Sequence, residues 1–185
     1  MSYQVIQTGN CAKLANPSDG KLPFINDRSG VMKTFFTYSA TTCCLIAPIV
    51  QAAMAGGKAD PVEMGELMRK SYVSAAKYGN KLVYRMGGAL PIDFAKFFGQ
   101  GPGKFDPEVV FNPKKFRQRP EFAKVVLKDE DVDRMGNDEI WPLDTMNIIL
   151  LCDADSELDL EKIISDATAA IPNFTEYFDV YVNDN

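Results

Sequence analysis

Two carboxylates one residue apart, Asp153 and Asp155, follow the apolar run "TMNIILLC" (Thr145–Cys152) in the segment "NIILLCDADSELD". Carboxylates at i and i+2 just past a buried strand are placed to hold Mg²⁺ or Mn²⁺ against a phosphate-bearing substrate. The same letters suit a helix start, where acidic residues and Ser156 satisfy free N–H groups and complement the helix dipole. An EF-hand is excluded. Leu158 stands where the calcium loop needs glycine, and Ile164 where it needs its bidentate glutamate. A second cluster is basic: in "FNPKKFRQRPEF", Lys114, Lys115, Arg117 and Arg119 interleave with Phe111, Phe116 and Phe122. Such a pattern can contact phosphates and stack bases, which makes nucleic acid a possible partner. The net charge of -5 opposes a polyanion, and Pro113 and Pro120 favour a solvated loop instead.

The Asp153–Asp155 element resembles the D-x-D element of glycosyltransferases with the nucleotide-sugar-binding fold. That resemblance implies a bound Mg²⁺ or Mn²⁺ and a metal-dependent transferase or phosphohydrolase. It is less like the D-x-D-x-T start of haloacid dehalogenase-type phosphatases, because Glu157 takes the place of the threonine. The N-terminal strand carries no recognisable nucleotide-binding signature. The glycines of "GQGPG" (99–103) lack the G-x-x-x-x-G-K-[ST] spacing that cradles phosphate and read as a turn.

Histidine is absent, which excludes Ser-His-Asp and Cys-His catalysis, His-ligated zinc and an imidazole pH switch. The cysteines, Cys11, Cys43, Cys44 and Cys152, contain no C-x-x-C pair. Cys43-Cys44 within an apolar run reads as two small core residues. No cofactor follows from composition; Mg²⁺ or Mn²⁺ belongs to the D-x-D alternative alone.

These side chains need a frame. A 185-residue chain with 46% apolar residues predicts one globular domain. Residues 3–8 read as a short strand, 10–30 as a long loop with turn clusters "NPSDG" and "NDRSG", and 99–120 as a loop-rich basic segment. The stretch from Met32 to Gly57 looks like a secretory signal but is too polar, and its "CCLIAPIV" too short, for secretion or membrane crossing. It divides into a strand over "VMKTFFTY" (31–38) and, from Cys43, a buried helix interrupted or started near Pro48; with the cysteine usage, this makes the protein expected to be cytoplasmic. Asp60, Pro61 and Glu63 open a helix that Gly79 closes, with Met64, Leu67, Met68 and Tyr72 on one face. "KLVYRM" (81–86) fits either strand or helix, Ile92–Phe98 a short helix, and Pro120 onward another. Thr145–Cys152 is a strand buried on both faces. Ser156 and Asp159 cap a helix through Ile171, and "EYFDVYV" alternates as a strand. The expected fold is α/β of the α+β type, a mixed sheet covered by helices and ending in a β-α-β unit.

Residues 1–128 hold 18 Lys/Arg against 9 Asp/Glu, and residues 129–185 hold 2 against 16. Opposed charges of this size mix within one molecule or draw copies together. With no histidine and no complete catalytic motif, the sequence points first to a non-enzymatic interaction protein. It would act by self-association or by binding a protein partner, as a viral assembly component (within a particle) or a host-directed inhibitor does. No membrane partner is expected.

Overall fold

The computed structural model describes residues 3–14, 20–39, 42–45, 60–86, 105–126, 131 and 142–184. They form a six-stranded sheet from β1 (Gln4–Ile6), β2 (Leu22–Asp27), β3 (Thr42–Leu45), β4 (Lys81–Arg85), β5 (Asn147–Cys152) and β6 (Phe178–Asn183). The strand order is β1-β6-β2-β5-β4-β3, and every described pair is parallel, which narrows the expected mixed sheet. The helices are α1 (Thr8–Leu14), α2 (Val31–Tyr38), α3 (Pro61–Tyr78), α4 (Pro107–Val110), α5 (Arg119–Phe122), α6 (Glu157–Ala170) and α7 (Phe174–Tyr177).

A parallel sheet must be covered on both faces, so its central strands are apolar throughout. β2 and β5 are buried at every residue. Alternate side chains divide between two cores. Phe24, Leu82, Tyr84, Ile148 and Leu150 meet α3 through Met68 and Tyr72, and α6 through Leu160, Ile163 and Ala167. Ile25, Val83, Ile149 and Leu151 point the other way and meet Met32 and Phe36 of α2, with Leu14 of α1 beside them. The chain therefore sends α2 to one face and α3 and α6 to the other.

α3 and α6 follow their sequence signals. The Asp60 side chain accepts from the Val62 N–H, and Pro61 opens α3. Gly79 ends it at φ 65°, ψ 30°, where the Gly79 and Asn80 N–H groups return to carbonyls of the last turn. Ser156 accepts from the Asp159 N–H to start α6. β5 and β6 flank β2 on opposite sides, so the terminal β-α-β unit crosses over β2.

Three expectations are corrected. The 10–30 segment is not one long loop, since it holds the end of α1 and the whole of β2. The two turn clusters suggested loop throughout; Pro23 of this strand lies opposite Asp179 of β6 and outside the β2–β5 ladder, which begins at Phe24, so its missing N–H breaks no pairing with β5. Val31–Tyr38 is a helix, not a strand. Its β-branched and aromatic residues suggested β, but Met32 and Phe36, one turn apart, both pack on the sheet, and that burial decides. "KLVYRM" resolves as β4. From Pro120, α5 ends at Phe122 and gives way to turn over 123–125; 127–130 and 132–141 lie outside the described residues. Cys43–Leu45 belong to β3 and not to a helix, paired with β4 at the sheet edge; 46–57, Ile92–Phe98 and "GQGPG" lie outside the described residues. No helix among the described residues is long and apolar enough to cross a membrane.

Candidate functional site

In an open parallel sheet, ligands bind outside the carboxyl ends of the strands, where neighbouring connections leave for opposite faces. Here that point lies between β2, which continues into α2, and β5, which continues into α6. A crevice of about 430 Å³ opens there. It is lined by Asp27, Arg28, Ser29, Gly30 and Lys33 from the β2–α2 turn, Arg85 from β4, and Leu151, Asp153 and Asp155 from β5 and its exit.

The β5 exit is shaped by Asn26, which is fully buried at the end of β2. Its Nδ2 donates to the Ala154 carbonyl at 3.2 Å, and its Oδ1 accepts from the Ala154 N–H at 2.8 Å. This reciprocal pair pins the middle of Asp153-Ala154-Asp155, whose two flanking residues line the crevice. The capping of α6 falls to Ser156, so Asp153 and Asp155 are left to the crevice. Asp153 Oδ2 lies 2.7 Å from Arg85 Nη2, an ion pair between adjacent strand ends. The neighbouring Cys152 thiol is buried, which pushes its pKa up to about 12 and leaves it inert as a nucleophile.

The opposite wall is the "DRSG" turn. Gly30 adopts φ 72°, a left-handed conformation that a side chain would strain. Asp27 is buried and its carboxylate reaches over the first turn of α2. It accepts from the Lys33 N–H at 2.9 Å, the Ser29 hydroxyl at 2.9 Å and Asn183 Nδ2 at 3.0 Å. Residues 27–34, "DRSGVMKT", occupy the eight-residue frame G-x-x-x-x-G-K-[ST], with Lys33-Thr34 in register and Asp27 and Met32 replacing the two glycines. Strand, turn and helix also follow in the order of a phosphate-binding loop. Sequence reading missed this frame because both glycines are gone and β2 was not recognised. The surviving signal is Lys-Thr one turn into a helix after a buried strand.

Arg28 does not face into the crevice freely. Its Nε donates to the Ala154 carbonyl at 3.2 Å, and its guanidinium pairs with Glu157 at 2.8 Å and Asp184 at 3.1 Å. The Arg28 guanidinium, joined by the Tyr3 hydroxyl, holds the Glu157 carboxyl below its ordinary range. Arg28 thus ties the β2 turn to the start of α6 and the end of β6.

The basic segment is placed otherwise than base stacking requires. Phe111, Phe116 and Phe122 are buried in the α3 and α6 core. The Tyr72 hydroxyl donates to the Phe116 carbonyl at 2.6 Å, and Arg117 lies over the Phe116 ring and donates to the Asp144 carbonyl. Lys114 and Arg119 are exposed and Lys115 half-buried, with no exposed aromatic among them. Nothing brings these four residues near Asp153 and Asp155.

The opposed halves of the chain meet within it: Lys21 with Asp179, Arg28 with Glu157 and Asp184, Arg69 with Asp131, and Arg85 with Asp153. Among the described residues no three Asp, Glu or Cys side chains group as a metal cage. A cation here would draw its remaining ligands from water and a bound phosphate, the usual habit of Mg²⁺.

Fold and crevice together define a parallel α/β protein with a two-signed polar site at its topological switch point. Comparison with protein-family models, with curated proteins and with solved structures finds no match.

Proposed function

We propose that the protein binds a phosphate-bearing ligand of the nucleotide class, as its complex with Mg²⁺ or Mn²⁺, and acts as a metal-dependent transferase or phosphohydrolase. The observation that carries this reading is the convergence of Lys33, Arg85, Asp153 and Asp155 on one crevice at the switch point. Lys33 and Arg85 supply positive charge to phosphate oxygens. Asp153 and Asp155 supply the hard oxygen ligands of the cation, which in turn polarises the phosphoryl group. Because Asp27 fills the backbone cradle at Lys33, phosphate is held by side chains and metal here, not by a glycine loop. Calorimetry of the full chain with MgATP, MgGTP and magnesium pyrophosphate tests it. Saturable binding below millimolar is expected, weakened about tenfold or more in Lys33→Ala through the lost charge-assisted contact. No heat at millimolar ligand contradicts it.

Self-association is the second reading. Val31, Phe35 and Tyr38 are 40, 40 and 84% exposed and lie along one stripe of α2. With the main charge pairs satisfied inside the chain, association through this stripe would be apolar and insensitive to salt. Light scattering across salt concentrations should then show a multimer that persists at high salt and is lost in Phe35→Glu/Tyr38→Glu. A monomer at all concentrations counts against it.

A further inference from the structure

The Arg85–Asp153 pair bridges adjacent strand ends on the wall of the crevice, with side chains 19 and 35% exposed. Asp153 Oδ2 takes the guanidinium. Its other oxygen, Oδ1, is buried and has no hydrogen-bond partner among the described residues. A buried carboxylate oxygen without a donor is costly, so the carboxylate rests with only one of its two oxygens compensated among the described residues. Each member of the pair is also the natural ligand of one half of a metal–phosphate complex.

Resting on the phosphate-and-cation reading, we propose that this pair is a charge gate that admits cation and phosphate together and resists either alone. A cation arriving alone at Asp153 lies beside Arg85 and takes away its counter-ion. A phosphate arriving alone at Arg85 strips it from Asp153 and then faces Asp153 and Asp155 unscreened. Both events leave a partly buried charge uncompensated, which is the expensive way to break such a pair. A metal–phosphate complex replaces both partners at once: oxygen anions for Arg85 and metal for Asp153. The two halves of the ligand are therefore coupled through the protein, and the coupling is reciprocal. Arg28, held by Glu157 and Asp184, cannot substitute for Arg85 in this exchange.

The test is calorimetry of the full chain in three arms: Mn²⁺ alone, pyrophosphate alone with a chelator, and manganese pyrophosphate. Wild type should take the complex at least about tenfold more tightly than either component. Arg85→Gln should bind Mn²⁺ alone about tenfold more tightly than wild type, because the competing guanidinium is gone. Asp153→Asn should gain similarly for pyrophosphate alone. Arg85→Lys, which keeps the charge, should keep the preference for the complex. If wild type binds the complex no more tightly than the better single component, or if neither neutral variant gains, the gate is overturned and the binding reading stands. If wild type binds in none of the three arms at millimolar concentration, the binding reading falls with it. The wild-type comparison holds even where a variant does not fold.

Discussion

Arg69→Ala is expected to destabilise the fold by about 3–5 kcal/mol, the range for removing one member of a buried ion pair. Arg69 sits on α3 with no exposed side-chain surface. Its Nε and Nη2 donate to both oxygens of Glu66 at 2.7 Å, and Nη1 donates to Asp131 and to the Val125 carbonyl at 3.0 Å. Truncation would remove the guanidinium from the buried Asp131 and Val125 carbonyl, and would leave Glu66 with the more distant Lys70 at 3.5 Å. Burial by itself would lower the Arg69 pKa, but Glu66 and Asp131 more than reverse that, and the guanidinium stays charged at every working pH. The same pairing holds Glu66 below its ordinary value of 4.5. A depressed carboxyl stabilises the fold above its unfolded pKa and loses that contribution as pH falls through its folded pKa. The stability gap between wild type and Arg69→Ala should therefore narrow as pH drops below about 4.5, as urea melts at several pH values would show. A constant gap, or a loss under 1 kcal/mol at neutral pH, would mean the triad is solvated.

Asp27→Ala is expected to cost about 1–2 kcal/mol, combining a lost helix-start contact with part-buried donors that lose their acceptor. One carboxylate serves three donors from the β2 turn, α2 and β6. Asn183 keeps one partner after the change, since its Nδ2 also donates to Ser29 Oγ at 2.9 Å. The Lys33 N–H keeps none of its side-chain partner, so the loss should concentrate in α2. Amide exchange should quicken first over residues 31–38 while α3 and α6 keep their protection. Asp27→Asn, which retains an acceptor, should lose less than half as much. Equal loss of protection across all helices would contradict the local role.

What could be read from the sequence followed local signals. Asp60-Pro61 and Gly79 bracket α3, Ser156 starts α6, and the unbroken apolar run gives β5, because caps and burial patterns are encoded within a few residues. The position of Asp153 and Asp155 just past a buried strand was legible for the same reason. Their partner was not. Arg85 meets Asp153 only because β4 pairs with β5 across more than sixty intervening residues, and no local pattern in "KLVYRM" announces that neighbour. β2 and α2 were misread where two preferences competed. Two turn clusters masked the most central strand, and the β-rich letters of "VMKTFFTY" gave way to tertiary packing of Met32 and Phe36. The frame Asp27–Thr34 became visible only once strand and helix were known to flank it. The charge asymmetry was plain in the sequence, but whether it pairs within one chain depends on sheet order, and the order brings Arg28 to Glu157 and Asp184.

The central claim is that the switch-point crevice is where a metal–phosphate ligand binds. Titration of isotope-labelled protein with MgATP, followed by amide chemical shifts, tests it most directly. The account predicts saturable shifts concentrated at residues 27–34, at Arg85 and Met86, and at residues 151–155, with the 114–119 segment unmoved. Shifts centred on 114–119, or no saturable shift at millimolar MgATP, would contradict it.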